Sequence, residues 1–303
     1  MTNLTRNRLQ HQDEVRGFLQ KQFASQSWEF TLPHGYGSES YFAHANGQNY
    51  FVKLNAPVRI YLAMASIGLA PPVLALGYLE DGTSLLVQPR IAGRNPTQRD
   101  YHVLLGQVAG VINKMHNSPE VQQALSPAIS DQSSPLALQA LARVRIRWEQ
   151  YKDQVPAVAS LIDEGLATLA EQSHDLQGEG VVASHNDICN ANWLLSPDGS
   201  IYLIDPDAMS LDDPACDIGA ILWWYYPPEL RLRFLETCGF VEDKQFEKRM
   251  HVRMALHCLH ITLPRQNSYD RFDPISFPYA LTDFFAVLAG RENPQGYNIG
   301  VDR

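Results

Sequence analysis

Apolar and polar positions alternate over the front of the chain and recur every three to four residues over the rest. Ser40 to Ala45 reads as a strand, Asn46-Gly47 is a two-residue turn of the kind hairpins favour, and Gln48 to Leu54 is the returning partner. Upstream, Phe30 to His34 leads into the turn-rich Gly35-Tyr36-Gly37-Ser38. Pro57 opens a short helix from Val58 to Ile67 that Gly68 closes. Val73 to Tyr78 and Ser84 to Val87 bracket a second hairpin around Glu80-Asp81-Gly82. The front of the chain is predicted to be mostly β.

After Gly93 the period changes to 3.6. Leu104, Val108, Val111 and Met115 share one face of a helix for which Thr97 is a ready cap. Ser118 to Pro135 reads as a polar connection, followed by amphipathic helices over Leu136 to Lys152 and Ala157 to Ala170, with Pro156 at a helix start. Val181 to Ser184 is a short apolar strand. Trp193 to Leu195 pairs with Ile201 to Ile204 around Ser196-Pro197-Asp198-Gly199, and helices return from about Cys216. The expectation is an α+β chain of two lobes: a small β-rich lobe over residues 1–90 and a larger, mainly helical lobe over 91–303. Their junction, near Gln88 to Gly93, is a natural place for a ligand cleft.

Composition narrows the classes. Of 303 residues, 45% are hydrophobic, which is too apolar for a disordered chain and enough for a substantial core. Twenty-four basic against 33 acidic residues leave −9, a poor balance for nucleic acid or an anionic membrane and a favourable one for cationic small molecules. The longest apolar stretch, Ala65 to Leu76, is broken by Gly68, Pro71 and Pro72, so no membrane span is predicted. Met1 to Val15 lacks the apolar core of a secretion signal. The scattered Cys189, Cys216, Cys238 and Cys258 read as free thiols of a cytoplasmic protein. The oligomeric state is left open.

The chemistry concentrates between Ser184 and Asp217. His185, Asp187 and Asn192 stand as H-x-D-x-x-x-x-N directly after a strand, and a hairpin follows that ends in Leu203-Ile204-Asp205. Phosphoryl transfer needs few protein groups: a carboxylate to take the attacking hydroxyl's proton, and hard oxygens to hold magnesium. A hairpin with Asn192 and Asp205 at its two open ends lets both reach one metal. The competing reading is a polar turn at His185 and Asp187 with hairpin caps at Asn192 and Asp205. The offset of the asparagine and the flanking strands favour chemistry.

Three segments carry a family resemblance: Ser184-His185-Asn186-Asp187-Ile188-Cys189-Asn190-Ala191-Asn192, Leu203-Ile204-Asp205-Pro206-Asp207, and Asp213-Pro214-Ala215-Cys216-Asp217-Ile218-Gly219. They resemble the aminoglycoside phosphotransferase and choline kinase family, and the likeness extends loosely over residues 30 to 225. It implies a bilobal protein-kinase-like fold with ATP and Mg2+ between the lobes. By the same resemblance residues 1–90 form the nucleotide-binding lobe, and residues 91–303 carry the catalytic loop and substrate pocket. Asp187 would be the catalytic base, Asn192 and Asp205 the magnesium ligands, and Asp217 and His185 supports of the catalytic loop.

Nucleotide-binding residues follow on the same grounds. Lys53, in the apolar strand Tyr50-Phe51-Val52-Lys53-Leu54, is either a lysine snorkelling from an edge strand or one directed at ATP phosphates. Its place after the Asn46-Gly47 hairpin favours the phosphates. Gly35, Gly37 and Ser38 would cover them, since glycine lets backbone N–H groups approach closely. Leu86 to Gly93 resembles the family's lobe linker, where the Pro89 carbonyl and the Ile91 N–H would read adenine. One feature departs from the family. The glutamate that usually orients the lysine is absent: no acid lies between Leu54 and Leu79, and the expected position falls near Arg59. Either Glu39 or another acid compensates, or Lys53 is held differently; the alternative function is a nucleotide-binding pseudokinase acting as a regulatory or scaffold module.

On the substrate side, Asp207, Asp212 and Asp213 would form an acidic rim, and Trp223-Trp224-Tyr225-Tyr226 would supply an aromatic wall. Helix-core packing is the competing reading for the aromatic run. The expected acceptor is a hydroxyl of a small, cationic molecule: an aminoglycoside, a choline-like compound, or a related amino alcohol or sugar. Arg143 and Arg147 are predicted to share one solvent-facing helix face. A metal-dependent hydrolase using His185 and Asp187 is the remaining alternative.

Overall fold

The computed structural model describes residues 3–24, 27–33, 40–125, 136–176, 180–240, 244–264 and 274–297. Helix α1 (Asn3–Phe23) precedes strands β1 (Glu29–Thr31), β2 (Ser40–Ala45) and β3 (Gln48–Leu54), helix α2 (Val58–Ser66), and strands β4 (Ala75–Tyr78) and β5 (Ser84–Pro89). These five strands form one antiparallel sheet in the order β1-β2-β3-β5-β4, so β3 is its central strand. The β2–β3 turn has Asn46 at φ +52° and Gly47 at φ +74°, two left-handed residues in a row, as a tight hairpin between twisted strands requires.

Helix α1 was not foreseen, because the N-terminal sequence is polar. Its apolar stripe is narrow: Val15 and Leu19 are fully buried against Tyr41, Val52, Leu85 and Val87 of the sheet. Gly77 on β4 receives the helix, since a Cβ there would lie 2.2 Å from the Phe18 ring. Only hydrogen leaves room for that ring.

The helical lobe begins with α3 (Gln98–Val103), which Thr97 caps in a reciprocal box with Asp100, and α4 (Leu105–His116). One predicted helix is thus two, divided at Leu104. Helix α5 (Pro119–Leu125) occupies part of the expected polar connection, with Val121 buried; its Val121 N–H is capped by Ser118. Helices α6 (Leu136–Tyr151) and α7 (Ala159–His174) lead to β6 (Val182–Ser184), β7 (Trp193–Leu195), β8 (Ile201–Leu203) and β9 (Ser210–Asp212). β7 pairs with β8, and β6 pairs with β9, which was also unforeseen. Helices α8 (Ala215–Tyr225), α9 (Pro228–Thr237), α10 (Lys244–Thr262) and α11 (Phe277–Leu288) complete the lobe.

Helix α10 runs through the core, packed by α6, α8 and α11, and every residue from Val252 to Leu259 is buried. The architecture is the expected one: a β-rich lobe and a mainly helical lobe. Leu203 N–H donates to the Leu69 carbonyl at 2.9 Å, which ties the lobes together, and Arg94 and Leu195, both of the helical lobe, exchange main-chain bonds at 3.0 and 2.8 Å that fasten the segment after β5 to β7. The described helices include none long and apolar enough to cross a membrane.

Candidate active site

The site is assembled from both lobes. Lys53 lies on β3, the middle of the sheet rather than an edge, so its side chain cannot snorkel to solvent and is only 2% exposed. Its Nζ ion-pairs with Asp205 Oδ1 and, at 2.7 Å, with Asp207 Oδ2. Tyr61 of α2 packs its ring 5.5 Å from the ammonium and donates its hydroxyl to Asp207 Oδ1 at 3.1 Å. Burial raises the Asp207 pKa, against the lowering field of Lys53. Burial also raises that of Tyr61, with the Asp207 and Asp205 charges adding to it, so the phenol stays a donor. Helix α2 therefore offers the lysine a tyrosine where an acid was missing, and the carboxylate comes from the opposite lobe. Arg59 instead donates to the Gln123 carbonyl at 3.2 Å.

The loop after β6 is held by a buried carboxylate. Asp217, in the first turn of α8 and 1% exposed, accepts the His185 N–H at 2.8 Å on Oδ2 and the Asn186 N–H at 2.9 Å on Oδ1. His116 of α4 adds its Nε2 to Oδ2 at 3.0 Å. Burial pushes the Asp217 pKa up, but the His116 hydrogen bond and charge, with those from His185, outweigh it and leave the carboxyl below the ordinary 3.8. Asn186 adopts φ +61°, and its amide donates to Ser210 Oγ at 2.8 Å. His185 is fully buried, with Nε2 donating to the Ile204 carbonyl at 3.2 Å and Nδ1 without a partner among the described residues. It fastens the loop to the residue before Asp205. A histidine so enclosed cannot activate water, which removes the structural basis of the hydrolase reading.

Asp187 is half-buried at the turn of the loop. Beyond it, Asn95 donates to the Asn190, Ala191 and Trp193 carbonyls at 3.2, 3.2 and 2.9 Å. Tyr101 gives its hydroxyl to Asn190 Oδ1 at 2.9 Å and stacks on Tyr225 at 4.3 Å. Cys189 is no nucleophile, because burial, with the Asp187 charge, pushes its thiol up to about 12. Neither Asn95 nor Tyr101 nor His116 stands in a motif, so nothing in the sequence marks them.

Asn192 and Asp205 sit at the same end of the β7–β8 hairpin, where the Ile204 N–H donates to the Asn192 carbonyl at 2.8 Å. Asn192 gives its Nδ2 to the Asp187 carbonyl at 2.8 Å, which leaves Oδ1 as its remaining donor atom to a cation. Asp205 holds φ +60°, a left-handed conformation that costs a non-glycine residue about 1–2 kcal/mol, and its side chain is 45% exposed. Such outliers gather at functional sites. An amide oxygen and a carboxylate fit magnesium, which takes one or two protein oxygens and fills its shell with water and phosphate.

In the linker, the Gln88 side chain donates to the Pro71 carbonyl at 2.6 Å and Pro89 pairs with Tyr50. The Ile91 N–H has no hydrogen-bond partner among the described residues. Gly93 packs so closely on β7 that a Cβ would lie 2.7 Å from the Leu195 carbonyl. Gly35, Gly37, Ser38 and Glu39 lie outside the described residues.

The expected acidic rim takes a different form. Asp213 is fully buried and paired with Arg249 at 2.9 Å, and Asp212 is paired with Arg253 at 2.6 Å, because α10 brings two arginines under them. Asp207 faces Lys53. Trp223 is 8% exposed and belongs to the core, whereas Trp224 is half-buried, with Nε1 donating to Asp283 at 3.4 Å. Arg147, expected in solvent, is 8% exposed and gives Nε to the Pro264 carbonyl at 3.1 Å.

A lysine on the central strand thus meets an aspartate after a hairpin, beside a braced H-x-D loop. The sequence model of the phosphotransferase enzyme family matches residues 31–245. The chain belongs to that family. Solved structures agree on the fold of this phosphotransferase. Spectinomycin phosphotransferase, in complex with ADP and spectinomycin, is 18% identical at a TM-score of 0.65, over 91% of this chain and 98% of that one. The choline kinase from Streptococcus pneumoniae is 16% identical at 0.66, over 91% and 99%. The ethanolamine kinase from Plasmodium vivax is 12% identical at 0.62, over 90% and 86%.

Proposed function

We propose that this phosphotransferase moves the γ-phosphate of ATP to a hydroxyl of a small molecule, with magnesium, in the cytoplasm. The observation that carries the reading is the contact of Lys53 with Asp205 across the cleft, beside Asn192. Residues 1–90 and 91–303 are the two lobes, and Pro89 and Ile91 offer main-chain groups to the base. Gly35, Gly37 and Ser38 cover the phosphates in this reading, and Lys53 holds them. Asn192 and Asp205 would hold magnesium, which would supply charge neutralisation at the phosphates. Asp187 takes the acceptor's proton as its oxygen bonds to the γ-phosphorus; the bond to the β-γ bridging oxygen breaks, and ADP leaves. Asp217, His116 and His185 keep the loop in place without touching the reacting atoms. The ADP of the spectinomycin enzyme's structure supports an adenine nucleotide.

The expected cationic acceptor retains one specific support. A cavity of about 550 Å³ lies against the catalytic loop, lined by Cys189, Asn190, Trp224, Tyr225, Tyr279 and Asp283. Aromatic faces and one carboxylate suit an amine, although burial raises the Asp283 pKa and favours its neutral form. The scaffold reading loses its motive, since Asp207 gives Lys53 the carboxylate that α2 lacks.

The test is a thermal-shift titration with ATP and magnesium, then ATP consumption against a library of hydroxyl compounds. Saturation at a hundred times Kd stabilises by about 2.7 kcal/mol, a rise of several degrees. No rise with the nucleotide would refute the kinase reading, and a rise without turnover on any compound would favour the scaffold.

The lysine clamp has its own expected outcome. Asp207→Asn leaves Lys53 with Asp205 alone and should reduce kcat/KM for ATP by roughly ten- to hundredfold, the equivalent of about 1–3 kcal/mol. Tyr61→Phe, which removes a single hydrogen bond, should cost only a few-fold. Asp207→Glu should recover part of the loss. If Asp207→Asn instead changes only KM for the acceptor, Asp207 faces the substrate and not the lysine.

A further inference from the structure

A second cavity, of about 400 Å³, opens on the other flank of the catalytic loop. Asn186, adjacent to Asp187, and the Asp207–Ser210 segment form one wall, and Arg143 of α6 with Arg253 and His257 of α10 form the opposite one. Its two arginines and two aspartates are unevenly paired. Asp207 is engaged by Lys53. The other carboxylate of the lining, Asp212, serves two guanidinium groups: Arg253 Nη2 at 2.6 Å and Arg143 Nη2 at 3.8 Å. Arg253 also donates Nη1 to the Leu136 carbonyl at 3.1 Å and is 3% exposed, so it is fixed in place. Arg143 has no hydrogen-bond partner among the described residues, and its side chain is 55% exposed on the cavity wall. Arg147, one turn along α6, is buried on His260 of the same lining at 3.0 Å and adds positive field from behind.

Around Asp212 two guanidinium groups share one carboxylate, so that part of a lining with two arginines and two aspartates is locally positive. A planar fork with free N–H groups matches a carboxylate or phosphate, which it binds through paired, charge-assisted hydrogen bonds. An ammonium group at the Arg143 fork would meet its repulsion at short range, while Asp212 is already engaged by Arg253 at 2.6 Å. The feature that pointed to a cationic acceptor, the run of aspartates from 207 to 213, is the same feature the structure neutralises, and Arg143 is what it leaves uncovered.

We infer that the hydroxyl acceptor, whether or not an amine of it occupies the Trp224–Asp283 cavity, carries an oxyanion, a carboxylate or a phosphate ester, and that Arg143, supported by Arg253, reads it. The inference rests on the proposed transfer to a small hydroxyl compound. It assigns Arg143 to specificity and leaves proton transfer with Asp187.

The experiment uses the full chain and matched acceptors that share a hydroxyl and differ in charge. Glycerate and glycerol 3-phosphate are compared with glycerol, and L-serine with L-serinamide and ethanolamine. ATP consumption gives kcat/KM for each, and the shift in Tm caused by each compound alone gives binding without turnover. The anionic member of each set should be preferred by roughly tenfold or more, and Arg143→Gln should erase that preference while sparing the neutral compounds. Arg143→Lys should retain part of it, and Arg143→Glu should turn it toward the amines. Glycerate against glycerol 3-phosphate tells carboxylate from phosphate. Transfer to neutral or cationic acceptors with equal or better efficiency overturns the inference and leaves the kinase reading standing. An Arg143→Gln loss that is the same for charged and neutral acceptors overturns it as well, since that is the mark of a structural role. If no compound is phosphorylated, a Tm rise with the anions that Arg143→Gln abolishes still supports the site, and the lack of any such rise refutes it. Failure of the kinase reading is seen separately, as absence of stabilisation by ATP and magnesium.

Discussion

Asp187→Asn is expected to lower kcat by roughly 10²- to 10⁴-fold while the protein stays folded and still binds nucleotide. The substitution keeps shape and removes the only property the mechanism asks of this side chain, acceptance of a proton. The loop around it is set by other groups: Asp217 holds the main chain of His185 and Asn186, and Asn95 holds the carbonyls of Asn190, Ala191 and Trp193. Asn192 reaches the main-chain carbonyl of Asp187, a bond that the substitution leaves in place. Tm within about a degree of wild type, an unchanged thermal shift with ATP and magnesium, and a collapsed turnover number are the three readings to collect. Near wild-type turnover would take Asp187 out of the mechanism. A large fall in Tm would make it a structural residue.

The parts of this site that the sequence makes legible are local. Asn46-Gly47 specifies its hairpin because the backbone there must be left-handed twice. Thr97 and Asp100 specify a helix start because each caps the other. His185, Asp187 and Asn192 stand within one loop, and the hairpin behind them carries Asn192 to Asp205 through an ordinary register, Trp193 opposite Leu203.

What was not legible depends on partners far away in the chain. The stripe Val15, Phe18, Leu19 in α1 is visible only once Gly77 is known to receive it. Lys53 finds Asp207 more than 150 residues later, and no pattern on α2 announces that Tyr61 packs against the lysine and its carboxylate. The aspartates at 212 and 213 read as a surface rim because their spacing says nothing of Arg249 and Arg253, which arrive on a helix of their own. Periodicity gives the face of a helix and leaves open which charges meet on it. For that reason Arg143 and Arg147, one turn apart, part company in the folded chain.

The second large effect belongs to Asp217. Its carboxylate satisfies two main-chain N–H groups and His116, all in a place water does not reach. Asp217→Ala leaves these donors buried without acceptors, a loss of about 3–5 kcal/mol by analogy with breaking a buried pair. At roughly 2–4 °C per kcal/mol, Tm should fall by about 6–20 °C. Asp217→Asn retains one acceptor oxygen but turns an NH2 group toward a donor, so it should fall between wild type and alanine.

The pH dependence separates this account from simple cavity formation. The folded-state pKa of Asp217 lies below its unfolded value, so its contribution is complete above the ordinary 3.8 and is lost as pH falls through the folded value. The Tm gap between wild type and Asp217→Asn should therefore be widest near neutrality and should close below about pH 4. A gap that stays constant into acid would mean that packing, and not the charge, is what Asp217 contributes. Activity gives the complementary reading: a loop freed from its brace should lose kcat even at temperatures where the variant is fully folded, because Asp187 is then no longer held where the acceptor's proton is released.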